Sequence, residues 1–149
     1  MKQELAFSAP AGHPRPSRDF DVLETQARRT SRESVRAQLG ADQPLNIFAY
    51  GSLMWRCPFD VERTTSCRLD GFMAQMCVWT VRARGNLAHP GLGLGLLEMP
   101  GQCNGVVLQV DPTNIDAAME ALWEREMYTE VYAPTWLEVS AGAKTIRAL

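Results

Sequence analysis

The chain has 149 residues, 46% of them apolar, and a formal net charge of −2, enough for one globular domain with its own core and no need of disulfide or metal staples. No Lys/Arg block is longer than a pair, which excludes the electrostatic footprint of a nucleic-acid or anionic-membrane binder and leaves a small molecule as the expected partner. No stretch reaches the roughly 18 consecutive apolar residues of a membrane span, and the opening MKQELAFSAPAGHPRPSRD lacks the apolar centre of a signal peptide, so the expected setting is the cytoplasm.

Residues 1–29 are rich in Pro, Ser, Arg and Ala, with Pro10, Pro14 and Pro16 close together. Proline removes backbone donors and fixes φ, so this segment reads as a flexible N-terminal arm. TSRESVRAQLG then predicts a short helix, with Thr30 as N-cap, Glu33 closing a capping box, Val35 and Leu39 on one face and Gly40 as the stop. From Leu45 the texture changes to short strand-like runs: LNIFAY, TSCRLDGF, AQMCVWTV, GLGLGLLE, NGVVLQV, TWLEVS and KTIRAL. One convincing helix interrupts them, DPTNIDAAMEALWEREMY, with Asp111 available as N-cap and Pro112 at the first helical position. The expected class is α+β and strand-dominated, a small barrel or curled sheet, spanning residues 30–149.

Two features in these runs need explaining. In FAYGSLMW, Phe48 to Trp55, Tyr50-Gly51-Ser52 breaks an apolar strand, although glycine inside a strand costs entropy and a serine hydroxyl needs a partner. A loop whose backbone N–H groups hold a ligand would account for the break; a plain bulge is the alternative. GLGLGLLE superficially resembles a dinucleotide fingerprint, but its spacing is G-x-G-x-G and no helix follows. It reads as a strand with Leu92, Leu94 and Leu96 on one face and three glycines on the other, leaving room for close approach of a ligand or a neighbouring strand.

Cys57, Cys67, Cys77 and Cys103 form no C-x-x-C pair and have no histidine at zinc-ligand spacing. They read as reduced, partly buried thiols. Only His13 and His89 could pair with a catalytic cysteine, and nothing in the pattern brings either near one. The four tryptophans, Trp55, Trp79, Trp123 and Trp136, read as packing residues.

The second helix carries a carboxylate on its apolar side. With Ile115 as zero and about 100° per residue, Ala118, Met119 and Leu122 fall within roughly 60°. Glu126 falls about 20° from the same zero, whereas Glu124 lies opposite and Glu120 well away from the stripe. Burial and the negative end of the helix dipole both raise the pKa of an inward glutamate there, which suits a general base. The bland alternatives are pairing with Arg125 or another cation, or a helix that frays before Glu126.

In order along the chain, FAYGSLMW, VWTVRARGNLAHPGLGLGL, CNGVVLQV and ALWEREMYTEVYAPTWLEV resemble the ChaC-type γ-glutamylcyclotransferases, from about Leu45 to Val139. The resemblance implies a small mixed β-barrel with flanking helices, and cleavage of glutathione to 5-oxoproline and cysteinylglycine without metal or cofactor. The family's catalytic glutamate falls on Glu126, and its substrate-binding loop on Tyr50, Gly51, Ser52, Leu53 and Met54. Arg84 with Gly85 occupies the family's R-G position, where the arginine either faces the substrate's distal carboxylate or is simply solvated. Tyr132, and less so Tyr128, is a candidate lining residue.

Three departures qualify the likeness. Ala49 stands where the family usually has glycine, which would strain the loop if that position needs positive φ. TVRARG lacks the family's usual S-T-D-H-R-G. KTIRAL ends where family members continue with another strand and helical material, so the domain is expected to be short at its C-terminus, with an open edge that invites association. Two rival readings follow: a catalytically idle relative that binds γ-glutamyl compounds or a partner through the same pocket, and a cyclotransferase for another γ-glutamyl amine.

Overall fold

The structure is a computed structural model, and it describes residues 25–80, 84–86, 88–129 and 131–149, together with the backbone of 17–19. The elements run β1 (Ser17–Asp19), α1 (Thr25–Arg36), β2 (Leu45–Ala49), β3 (Arg63–Thr80), β4 (Gly91–Val110), α2 (Ile115–Glu126), β5 (Leu137–Ala141) and β6 (Lys144–Ala148). A six-stranded sheet has the order β2-β4-β3-β5-β6, with β1 pairing in parallel to the end of β3. Two helices beside one mainly antiparallel sheet make the α+β class expected from the sequence. No helix among the described residues is long and apolar enough to cross a membrane.

Four of the expected strands merge into two. TSCRLDGF and the AQMCVWT of the next run are both part of β3, which ends at Thr80, and GLGLGLLE and NGVVLQV are both part of β4. The dipeptides that signal turns instead bend the paired strands at one place. Gly71 has φ 79°, a conformation that disfavours a side chain, and the register breaks between Asp70 and Phe72. Opposite it, Asp70 pairs with Gln102 and Phe72 with Glu98, so residues 99–101 bulge outward. The bend curls the sheet until its two ends approach, but its ladder is not closed into a barrel. β2 and β6 meet at Leu149, whose N–H donates to the Asn46 carbonyl at 2.9 Å and whose carbonyl accepts from Phe48 N–H at 2.8 Å.

The N-terminal boundary also differs from expectation. α1 starts at Thr25 because TQARR consists largely of helix-compatible residues with nothing to stop a helix. Thr30 is therefore inside the helix, and Glu33 pairs with Arg29 one turn back at 2.8 Å instead of closing a capping box. Ser17–Asp19 pair with Val78–Thr80, so part of the expected arm belongs to the sheet. Residues 25–29 of that arm are in α1, and 1–16 and 20–24, with Pro10, Pro14, Pro16 and His13, lie outside the described residues.

β2 is buried on both faces, and each face feeds a different core. Leu45, Ile47 and Ala49 join Val35, Leu108, Val110, Ile115, Ala118, Met119, Leu122 and Trp123 between sheet and helices. Phe48 points the other way, into a cluster with Cys67, Leu69, Cys103, Val107, Val139 and Ala148 inside the curl. This follows from the period of two along a strand, and each fully buried Leu, Ile or Met contributes about 1.5–3 kcal/mol. The strand is thus held in place up to Ala49, immediately before the break at Tyr50.

Candidate active site

The break after β2 becomes a single 3₁₀ turn at Ser52–Met54. Its hydrogen bonding begins with Met54 N–H donating to the Gly51 carbonyl at 3.0 Å, and Arg56 N–H donates to the Ser52 carbonyl at 2.8 Å. The amides of Ser52 and Leu53 precede the turn's first donor, as at any helix start. Gly51 lies beside β4, where a Cβ would make an ordinary van der Waals contact of 3.5 Å with Leu94 Cδ2. Ala49 causes no strain: it is part of β2, paired with Val106, and no described non-glycine residue has positive φ.

Asp111 accepts a hydrogen bond from Thr113 N–H at 2.8 Å and starts the turn that leads into α2. The helix ends at Glu126, with Met127 N–H donating back to the Trp123 carbonyl at 3.0 Å. Of its three glutamates, Glu120 and Glu124 are exposed, whereas the Glu126 side chain keeps 24% of its surface. Burial pushes the Glu126 pKa up, and the neighbouring Arg125 guanidinium opposes the rise. Arg125 Nε donates to Glu126 Oε1 at 2.9 Å, so the pairing weighed from sequence exists, and the carboxylate nonetheless stays largely buried.

Arg125 also reaches the turn after β2. Its Nη2 donates to Ser52 Oγ at 2.9 Å and its Nη1 to the Arg56 carbonyl. Tyr50 lies near enough to Glu126 and Tyr132 to feel their charges, and these together with burial, the largest cause, raise its pKa well above the ordinary phenol. Its ring stacks on Phe48 at 5.9 Å between centroids. Tyr132 O–H donates to the Leu94 carbonyl at 2.8 Å. The second tyrosine therefore rests on the same β4 residue that Gly51 approaches.

Tyr50, Gly51, Ser52, Glu126 and Tyr132 are thus brought to one place by the end of β2, the middle of β4, the end of α2 and the segment before β5. Leu53 packs against the core between sheet and helices. Met54 is 44% exposed, and Trp55, expected to pack, is 68% exposed. Arg84 is exposed, and its carbonyl occupies the space where a Cβ on Gly91 would sit, which ties its backbone to the start of β4. Val81, Arg82, Ala83 and Leu87 of the surrounding motif lie outside the described residues. Of the glycines of GLGLGLLE, Gly95 lies closely against β3, a Cβ there falling 2.6 Å from Cys77 Sγ, whereas one on Gly93 would make an ordinary contact of 3.5 Å with the Val78 carbonyl.

All four cysteines are free thiols, three of them buried, and burial raises the pKa of each. Among the described residues no three His, Cys, Asp or Glu side chains converge as metal ligands would. Sequence reasoning did not assign Arg125 or Leu94 to the site. Arg125 was considered only as a counter-ion to Glu126, and its adjacency to that residue was the available signal. Chemically, the cluster offers a carboxylate of raised pKa linked through Arg125 to the turn after β2, with Tyr50 near it and Tyr132 hydrogen-bonded to β4.

Comparison with known proteins bears on the family and the fold. Residues 45–148 match the ChaC-like protein family. The glutathione-specific gamma-glutamylcyclotransferase of Escherichia coli (strain K12) is 32% identical over 107 residues, which are 71% of this chain and 46% of that protein. The chain therefore spans about half the length of the curated relative it matches. Among solved structures, a gamma-glutamyl cyclotransferase specific to glutathione from yeast superposes with a TM-score of 0.60 at 20% identity, covering 68% of this chain and 55% of that one. YkqA from Bacillus subtilis superposes at 0.53 with 20% identity, over 80% of this chain and 42% of that one. At those identities the structural likeness bears on the fold alone.

Proposed function

The chain belongs to the ChaC-like family, and on that premise we propose that it is a γ-glutamylcyclotransferase, cleaving glutathione to 5-oxoproline and cysteinylglycine. The observation that carries the reading is the meeting of Glu126 with the turn after β2: a half-buried carboxylate stands beside Tyr50 and is linked through Arg125 to Ser52 and Arg56. Nucleophile and electrophile belong to one substrate in this reaction. The α-amine of the γ-glutamyl residue attacks its own side-chain carbonyl, so the protein mainly has to fold the substrate and proximity supplies much of the rate.

Closure needs an uncharged amine. Glu126 takes the proton from the α-ammonium through Oε2, the oxygen not engaged by Arg125, and later returns one to the departing cysteinyl nitrogen. Raising the pKa of the carboxylate improves it as a proton acceptor, and the Arg125 guanidinium, which favours the ionised form, limits that rise. The amides of Ser52 and Leu53 hold the substrate's α-carboxylate or the developing oxyanion, as oriented backbone donors can. Tyr50 and Tyr132 wall the γ-glutamyl end; Met54 borders the turn's exposed side. No covalent intermediate on the protein is needed. We assign this activity to residues 30–149 with the first residues of α1, in a cytoplasmic setting.

Release of 5-oxoproline and cysteinylglycine from glutathione by the purified chain, with γ-glutamyl-alanine run in parallel, tests the reading. Turnover of glutathione alone supports it, and turnover of γ-glutamyl-alanine alone moves the assignment to another γ-glutamyl amine. Absence of product from both, with the chain folded, overturns the enzymatic reading.

A further inference from the structure

Arg125 exposes 28% of its side chain, and its donors go to three separate places. Nε bonds to the Glu126 carboxylate at 2.9 Å, Nη2 to Ser52 Oγ at 2.9 Å, and Nη1 to the Arg56 carbonyl. Ser52 and Arg56 bracket the turn that follows β2, and that turn is itself closed by Met54 and Arg56 N–H bonds to Gly51 and Ser52 carbonyls. A planar guanidinium holds such partners at fixed angles, which an ammonium on a flexible stem cannot do. One side chain therefore sets how far the turn stands from the carboxylate.

We infer that Arg125 is a positioning residue, bracing the Ser52–Arg56 turn against the Glu126 carboxylate so that a substrate seated on the turn meets the base at working distance. The inference rests on the proposed role of Glu126 as base and of the turn as substrate seat. It accounts for two facts that pairing with Glu126 alone would leave idle: the Arg56 carbonyl and the Ser52 hydroxyl, both on exposed residues, converge on the same guanidinium. A misplacement of about 1 Å between reacting groups can cost on the order of a hundredfold in rate, so a brace at this point controls turnover without touching the substrate.

Charged and titratable groups around the pair are few and identifiable. Tyr50 faces Glu126 from the end of β2 and Tyr132 faces Tyr50 from the segment before β5, with Cys77 of β3 and Cys103 of β4 behind Tyr50. Cys57, just beyond the turn, feels Arg125. Asp60 also bears on Cys57, and among the described residues Arg125 is the cation that acts on Glu126, so removing it leaves burial as the influence that remains.

The test compares the full chain with Arg125→Lys and Arg125→Gln, reading the Glu126 carboxyl titration by carbon NMR, hydrogen exchange at the Met54 and Arg56 amides, and steady-state kinetics on glutathione. Arg125→Gln should move the Glu126 midpoint upward and speed exchange at both amides. Arg125→Lys keeps the charge, so its midpoint should stay near wild type while both amides exchange faster and kcat/KM falls by about tenfold or more. Unchanged amide exchange in both variants overturns the brace. So does global unfolding of Arg125→Lys, which would make the arginine a requirement of the fold. If the wild-type chain releases no 5-oxoproline, the proposed function fails by itself, and the titration and exchange measurements still decide on Arg125.

Discussion

Helix α2 buries Ile115, Ala118, Met119 and Leu122 to between 0 and 4% exposure over its first two turns, whereas its last turn carries Arg125 and Glu126 with 28% and 24% of their side chains still exposed. The first region needs only volume, because its partners are the apolar faces of β2, β4 and α1. The second needs specific partners, because a half-buried charge without them is costly. One helix thus anchors itself in the core at one end and presents polar groups to the turn after β2 at the other. Stability and activity should therefore separate along its length.

Met119→Ala should show the largest effect on the anchoring end. At 1% exposure, losing the side chain should cost about 2–5 kcal/mol of stability, measured by urea unfolding, while turnover per folded molecule stays close to wild type. A collapse of specific activity in the folded fraction would break the separation. Gly105→Ala probes the strand that leads from core to site. A Cβ there would strike the Ala49 carbonyl and the Phe48 ring, and we expect about 1–3 kcal/mol of destabilisation. Because Ala49 runs directly into Tyr50, KM for glutathione should rise as well.

Titration sharpens the polar end. Burial holds the folded-state pKa of Glu126 above its ordinary 4.5, so between that value and the raised one the folded chain binds more protons than the unfolded chain. Stability from this group must then fall as pH rises through that window and level off above it. Urea midpoints across the window should decline for the wild type, and that component should vanish in Glu126→Gln. Activity should move oppositely, rising with pH through the same raised value as the base ionises. The smallest expected effect lies on the surface between the helices. Arg36 bonds Asp116 at 2.8 Å with the aspartate 84% exposed, and Arg36→Ala should cost less than about 1 kcal/mol, with kinetics unchanged.

The residues themselves made much of this legible, for local reasons. The apolar strand-like run LNIFA and the Asp111-Pro112 helix start are both matters of local backbone chemistry, and they hold in β2 and in the turn that leads into α2. Helical periodicity alone singled out Glu126 among three glutamates, and burial follows the same order. What was not legible depends on neighbours distant in sequence. Whether Asp70-Gly71 ends a strand or bends it depends on what lies opposite, and Gln102 and Glu98 keep pairing across the bend. Thr30 and Glu33 have the spacing of a cap, yet helix-compatible residues before them carry α1 back to Thr25. The reach of Arg125 to Ser52 and Arg56 spans about half the chain, and no local pattern records which way a guanidinium turns.

The most direct test of the central claim, that Glu126 is the chemical group at the polar end of α2, is 5-oxoproline release from saturating glutathione by Glu126→Gln beside the wild type, with equal folded fractions established by thermal unfolding. Loss of a general base predicts a fall in turnover of at least about a hundredfold with little change in thermal midpoint. Turnover within a few-fold of wild type in a folded variant would contradict the claim.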